Sequence, residues 1–311
     1  MKIGWASGSL RASRDPAARM LQPQPAAGEP GGEAQVPERL WFNVLVVGGG
    51  DADVMRLHRN LTHAQALPWR PAEEVEREVV FLALRRSGRR IEALSLEDIL
   101  QACEEVENRH LITNAAVARH FRNLWNTSSA YCRHFMRGLL ALKPGDVAGS
   151  ARLTMPGGLF REGFSLTRVI LPPYRVLQGS YRYAGRNWCL QNWGTPEDAR
   201  LIGSRFEAIG GGRRLAIYEF ETVENPPAAA LQRLAERNAG LIVGCVSVDA
   251  DSGQRRAYGQ GRAARLQVEA LPAVPMVHGG FSGNAYVETT AAARRLVLAR
   301  LAPSDPVARR A

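Results

Sequence analysis

The chain has 311 residues, 45% of them hydrophobic and 23% charged, with 40 basic side chains against 30 acidic ones. That composition belongs to a globular protein able to bury a core, and no apolar run approaches the roughly 20 residues of a membrane-spanning helix. Four cysteines stand far apart without a CxxC pair, which argues against both a disulfide scaffold and a compact zinc site. Neither a metal nor a cofactor is implied.

The formal charge is +10, and lysine occurs only at Lys2 and Lys143, so arginine supplies nearly all of the basic groups. Guanidinium is permanently charged and forks onto phosphate oxygens. Residues 151–311 hold 21 basic and 13 acidic residues, which places +8 of the +10 in the second half. Such an excess predicts a polyanionic partner, single-stranded nucleic acid with RNA favoured.

Residues 1–38 are rich in Pro, Gly and Ala without an apolar period and read as a flexible N-terminal arm. The first residues open no apolar h-region, so secretion by a signal peptide is not expected. A cytoplasmic or virion location follows. Residues 39–146 read as a mainly helical domain. It opens with a strand at 41–47 and continues with helices near 51–63, 72–86, 95–107 and 113–143. Ser95 and Asp98 form a capping-box-like start, Pro71 suits a first turn, and Pro144-Gly145-Asp146 ends the helical half.

Between strand and helix lies Gly48-Gly49-Gly50-Asp51. A dinucleotide fingerprint would need a third spaced glycine where Asp53 stands, so the run reads as a glycine turn with an aspartate cap.

Residues 147–302 read as a basic α+β domain, and 303–311 as a short C-terminal tail. Strands are expected near 164–170, 176–184, 215–222, 241–248, 263–269 and 285–288, and helices near 196–202, 226–238 and 289–302. In 215–249 the order is strand, helix, strand, with Pro226-Pro227 opening the helix and Asn238-Ala239-Gly240 closing it. The fold class is therefore α+β: a mostly helical N-terminal half, a mixed C-terminal half, and flexible termini.

Two patches carry the candidate site. On the 113–143 helix, Val117, Phe121, Leu124, Tyr131, Cys132, Phe135, Leu139 and Leu142 share one face. Arg119, Arg122, Arg133 and Arg137 lie on the opposite stripe. No acid occurs between Thr113 and Lys143, so the stripe either tracks a phosphate backbone or pairs with the acidic helix Glu97–Glu107. The second patch, 173–193, interleaves Tyr174, Tyr181, Tyr183, Trp188 and Trp193 with Arg175, Arg182 and Arg186 and contains no acid. Read as a strand, it puts Tyr181 and Tyr183 on one face and Arg182 on the other. Its aromatics either stack bases or fill a core, whereas its arginines read as phosphate contacts that can be removed without unfolding the protein.

Other pairings fall short. His58 with His63, Cys132 with His134, and the elbow-like Gly280-Phe281-Ser282-Gly283 lack the partners that metal or nucleophile chemistry requires. With no catalytic constellation, the chain is not read as an enzyme. The expectation is a structural nucleic-acid-binding protein of coat or nucleocapsid type that self-associates into a large assembly, packages single-stranded RNA with little sequence preference and uses no membrane. The alternatives are a subunit of another large ribonucleoprotein, such as an organellar ribosome or RNA-guided complex, and an α/β enzyme acting on a phosphorylated substrate.

Overall fold

A computed structural model describes residues 39–62, 67–110, 114–142, 164–261, 264–277, 280–281 and 283–302. The expected arms at 1–38 and 303–311, and the boundary expected at 146/147, lie outside these residues. The class is α+β, built on a six-stranded antiparallel sheet.

Its organising strand is β1 (Leu40–Gly50), buried from Trp41 to Gly49. A strand covered on both faces needs apolar side chains of both parities, which is what Trp-Phe-Asn-Val-Leu-Val-Val supplies. β1 lies between β3 (Arg213–Val223) and β4 (Ile242–Asp249), and β3 pairs outward with β2 (Arg200–Gly210). Beyond β4 come β5 (Arg255–Gln260) and β6 (Leu266–Leu271), giving the order β2-β3-β1-β4-β5-β6. A short hairpin, β7 (Met276–Val277) and β8 (Gly280–Phe281), stands apart.

Helices cover both faces. α1 (Asp51–Leu61) follows β1 directly, burying Val54, Leu57 and Leu61 against Leu45, Val47 and Tyr218. The i, i+3, i+7 spacing puts these three on one side of the helix, each burial worth roughly 1.5–3 kcal/mol. Four further helices follow: α2 (Ala72–Ser87), α3 (Leu96–His110), α4 (Asn114–Thr127) and α5 (Ser129–Ala141). They close around Val79, Ile99, Phe121 and Met136. Three short helices come next: α6 (Leu166–Val169), α7 (Tyr174–Gln178) and, after a π-turn at Tyr181–Gly185, α8 (Arg186–Asn192). α9 (Ala228–Arg237) joins α1 on the first face, and α10 (Gly283–Leu301) lies on the second.

The succession β1-α1-β2-β3-α9-β4, with both helices on one face, is the split βαβ arrangement. α2–α8 are an insertion into its first crossover. Residues 39–61 thus pack with the sheet, although they precede the inserted helices α2–α8 in sequence.

Three glycines let α10 approach. A Cβ on Gly48 would lie 2.6 Å from Leu301 Cδ1 and Val297 Cγ1, and one on Gly244 would lie 2.9 Å from Val297 Cγ2. On Gly259 it would meet Leu296 at 3.4 Å. Gly49 faces the other way, where a Cβ would sit 2.5 Å from Leu241 Cδ2. The glycine run is therefore strand packed closely on both faces, not a turn. Asp51 makes an ion pair with Arg214 instead of capping.

The strand at 41–47, the strand-helix-strand of 215–249 and the capping box follow expectation. Ser95 N–H donates to Asp98 Oδ2 at 2.8 Å, and Asp98 N–H donates to Ser95 Oγ at 3.1 Å. Five expectations are corrected. The 113–143 helix is two helices, because Thr127 Oγ1 donates back to Asn123 O at 2.7 Å while extended Ser128 caps α5 by accepting from Tyr131 N–H. The strand expected at 176–184 is helical, and that at 164–170 is α6, capped by Ser165. The helix expected at 196–202 gives way to the start of β2, and the strand at 285–288 is the first part of α10. Aromatic strand propensity in 176–184 yields to burial between two layers.

Candidate nucleic-acid interface

Four of the five aromatics of the second patch, Tyr181, Tyr183, Trp188 and Trp193, belong to or pack against the core, whereas Tyr174 is 75% exposed beside exposed Arg175. Tyr181 meets Trp69 edge-on at 5.5 Å and donates its hydroxyl to Pro196 O at 2.9 Å. Tyr183 is buried among the α2–α5 side chains. Trp188 is half-buried and packs edge-on against Trp193 at 5.7 Å, whose Nε1 donates to Ile170 O at 2.9 Å. None of these four offers an open ring face of the kind that stacks bases; exposed Tyr174 is the one aromatic of the patch that could. Gly185 is required here, since a Cβ would fall 2.6 Å from the Trp69 ring.

Two of the three arginines have acid partners from distant parts of the chain. Arg186 pairs with Glu224. Arg182 lies over the Tyr183 ring and places NH1 3.5 Å from Glu76 Oε1. The expectation that these side chains could be removed without leaving an acid unpaired is overturned. Arg175 is exposed and makes no ion pair among the described residues.

Glu76 is 1% exposed, and its Oε1 also lies 3.4 Å from His120 Nε2. Neither atom, nor the Tyr183 hydroxyl, has a hydrogen-bond partner among the described residues. Burial raises the Glu76 carboxyl to about 7 despite the opposing pull of Arg182. Burial, assisted by the Arg182 charge, lowers His120 to about 4. At neutral pH the imidazole is neutral and the carboxyl is near half-protonation, a state favoured by the low-dielectric surroundings. Sequence reading missed this pair because Glu76 and His120 belong to different helices, and neither sits in a motif.

The first patch is divided between two helices, Arg119 and Arg122 on α4 and Arg133 and Arg137 on α5, so the single stripe expected of one continuous helix is not formed. Arg119, Arg122 and Arg133 are exposed and make no ion pair among the described residues. Arg137 pairs with Glu92 at 3.3 Å. The alternative of pairing with Glu97–Glu107 is not what the structure shows: Glu105 pairs with Arg86. The two patches meet at one place, where His120 of α4 lies beside Arg182 and Tyr183.

Among the described residues, the second face of the sheet is covered and offers no stacking platform. That face carries Phe42, Val44, Val46, Leu215 and Ile217 beneath α10. A groove of about 330 Å³ between β5–β6 and α10 adds Arg295 and Arg300 beside Gln267 and Glu269.

No family model and no curated protein matches the chain. The crystal structure of the protein api92 from Yersinia pseudotuberculosis, of family model DUF1281, aligns over 77% of this chain and 100% of that one. Identity is 9% and the TM-score 0.37, a likeness that carries no argument.

Proposed function

We propose that the protein binds single-stranded nucleic acid, RNA favoured, through arginine–phosphate contacts centred on α4 and α5, in the sequence-tolerant manner of a coat or nucleocapsid protein. The observation that carries this reading is the absence of Asp and Glu from these two helices together with three unpaired exposed arginines. Arg119, Arg122 and Arg133 are exposed there without an ion pair among the described residues, while Arg137, Arg182 and Arg186 each have an acid. Cations without acids nearby are the ones available to displace counterions from a polyanion. The buried aromatics of 181–193 take no part in base stacking, so the reading rests on phosphate contacts, with exposed Tyr174 the one ring of that patch open to a base.

The test is a fluorescence-anisotropy titration of single-stranded RNA at several salt concentrations. Three phosphate contacts on a single strand give a log–log salt slope of roughly −2. Replacing Arg119, Arg122 and Arg133 together by alanine should remove about that much slope and leave the melting temperature unchanged. Wild-type affinity that is flat in salt, or a triple variant that binds like wild type, overturns the proposal.

A further inference from the structure

β2 closes one end of the sheet, and no described strand pairs with its outer edge. The strand is 11 residues long and contains neither proline nor lysine, two of the usual devices that blunt an exposed edge. Against β3 its register is regular from Gly203 to Ala208, with irregularities on either side. Along that stretch Arg205 and Glu207 point to the α10 side, while Ser204, Phe206 and Ala208 are exposed on the other. Phe206, which meets His58 edge-on at 4.7 Å, remains 36% exposed and Ile202 43%, so apolar surface lies beside an edge that no described strand covers.

From this arrangement we propose that β2 pairs with β2 of a second copy of this chain, antiparallel about a two-fold axis at Phe206, joining two sheets into one. The charges select the register. With Phe206 on the axis, Arg205 of each copy stands opposite Glu207 of the other, and Ser204 opposite Ala208. Shifting the axis by one residue puts Arg205 opposite Arg205, or Glu207 opposite Glu207, and like charges directly opposite are destabilising. Within each chain Arg205 already pairs with Glu219, and Glu207 with Arg294. The dimer therefore extends two short ion-pair rows into one of alternating sign. A self-complementary strand is what a two-fold interface requires, since each surface must match itself. A ladder of this length buries less than the roughly 800 Å² per partner of a standard interface, so the dimer is concentration-dependent.

Phe206→Cys is the direct test. Opposed Cα atoms in an antiparallel pair lie about 4.5 or 5.5 Å apart, both within reach of a disulfide. The variant should crosslink on mild oxidation. Ser204→Cys should not, because its copy lies four residues along, roughly 13 Å away. The four native cysteines are buried and add little background. Sedimentation equilibrium on two exposed-face variants gives the second measurement. Ser204→Lys with Ala208→Lys sets lysine against lysine and should leave monomer, whereas Ser204→Lys with Ala208→Glu sets opposite charges together and should dimerise at least as well as wild type. Equal crosslinking at 204 and 206, or equal association of the two charge variants, overturns the proposal.

Discussion

Replacing Glu76 by glutamine should make stability rise more steeply with pH than in the wild type between about pH 4.5 and 6.5. Glu76 and His120 are 3.4 Å apart and perturbed in opposite directions. The raised carboxyl contributes stability that is complete below its unfolded value of 4.5 and is lost as pH rises through about 7. The lowered imidazole contributes stability that is complete above 6.5 and is lost as pH falls through about 4. Over the shared window folding takes up a proton at one group and releases one at the other, so the two slopes oppose each other. Glu76→Gln leaves the imidazole alone, and stability should rise toward pH 6.5. His120→Gln leaves the carboxyl alone, and stability should fall toward pH 7. Moving a carboxyl from 4.5 to about 7 corresponds to roughly 3 kcal/mol, at about 1.4 kcal/mol per tenfold. The imidazole is partly reached by solvent, and its contribution is smaller, roughly 1–2 kcal/mol. Urea denaturation of the three proteins across this range is the assay, with each variant referenced to wild type so that the other carboxylates drop out. Curves parallel to wild type within about 0.5 kcal/mol for both variants would refute the pairing.

Two further outcomes test the sheet. Gly48→Ala should cost about 1–3 kcal/mol, read by thermal melting, because its methyl would be met from Leu301, Val297 and Leu215; an unchanged melting temperature would mean that α10 is not seated on β1. In the buried core Asn43 donates to Thr222 Oγ1 at 3.0 Å and accepts from Ser247 Oγ at 2.6 Å. Asn43→Ala and Ser247→Ala should each cost about 1–3 kcal/mol by leaving a buried partner unpaired, and the double variant less than their sum. Strict additivity would show that the two side chains do not interact.

Local pattern was enough for several elements. The apolar run after Leu40 specifies a strand buried on both faces, Ser95 with Asp98 starts a helix, and the prolines at 226 and 227 precede α9. Each is written in adjacent residues whose propensity and periodicity agree. Thr127 and Ser128 also held a legible sign of the break between α4 and α5, two hydroxyl side chains in mid-helix. What the sequence left undetermined was the choice of partner. Val46 stands opposite both Ile217 and Gly244, more than 160 residues away, so the place of β1 at the sheet centre is a long-range pairing that no window contains. The glycines at 48 and 244 are explained only once α10 lies across them. The same holds for charge. An acid-free stretch left Arg119, Arg122 and Arg133 without ion pairs among the described residues, yet it said nothing of Arg182 and Arg186, whose acids come from α2 and from the residue after β3. Secondary structure follows interactions a few residues apart. Burial and ion pairing depend on distance in space, and the tertiary fold sets that distance.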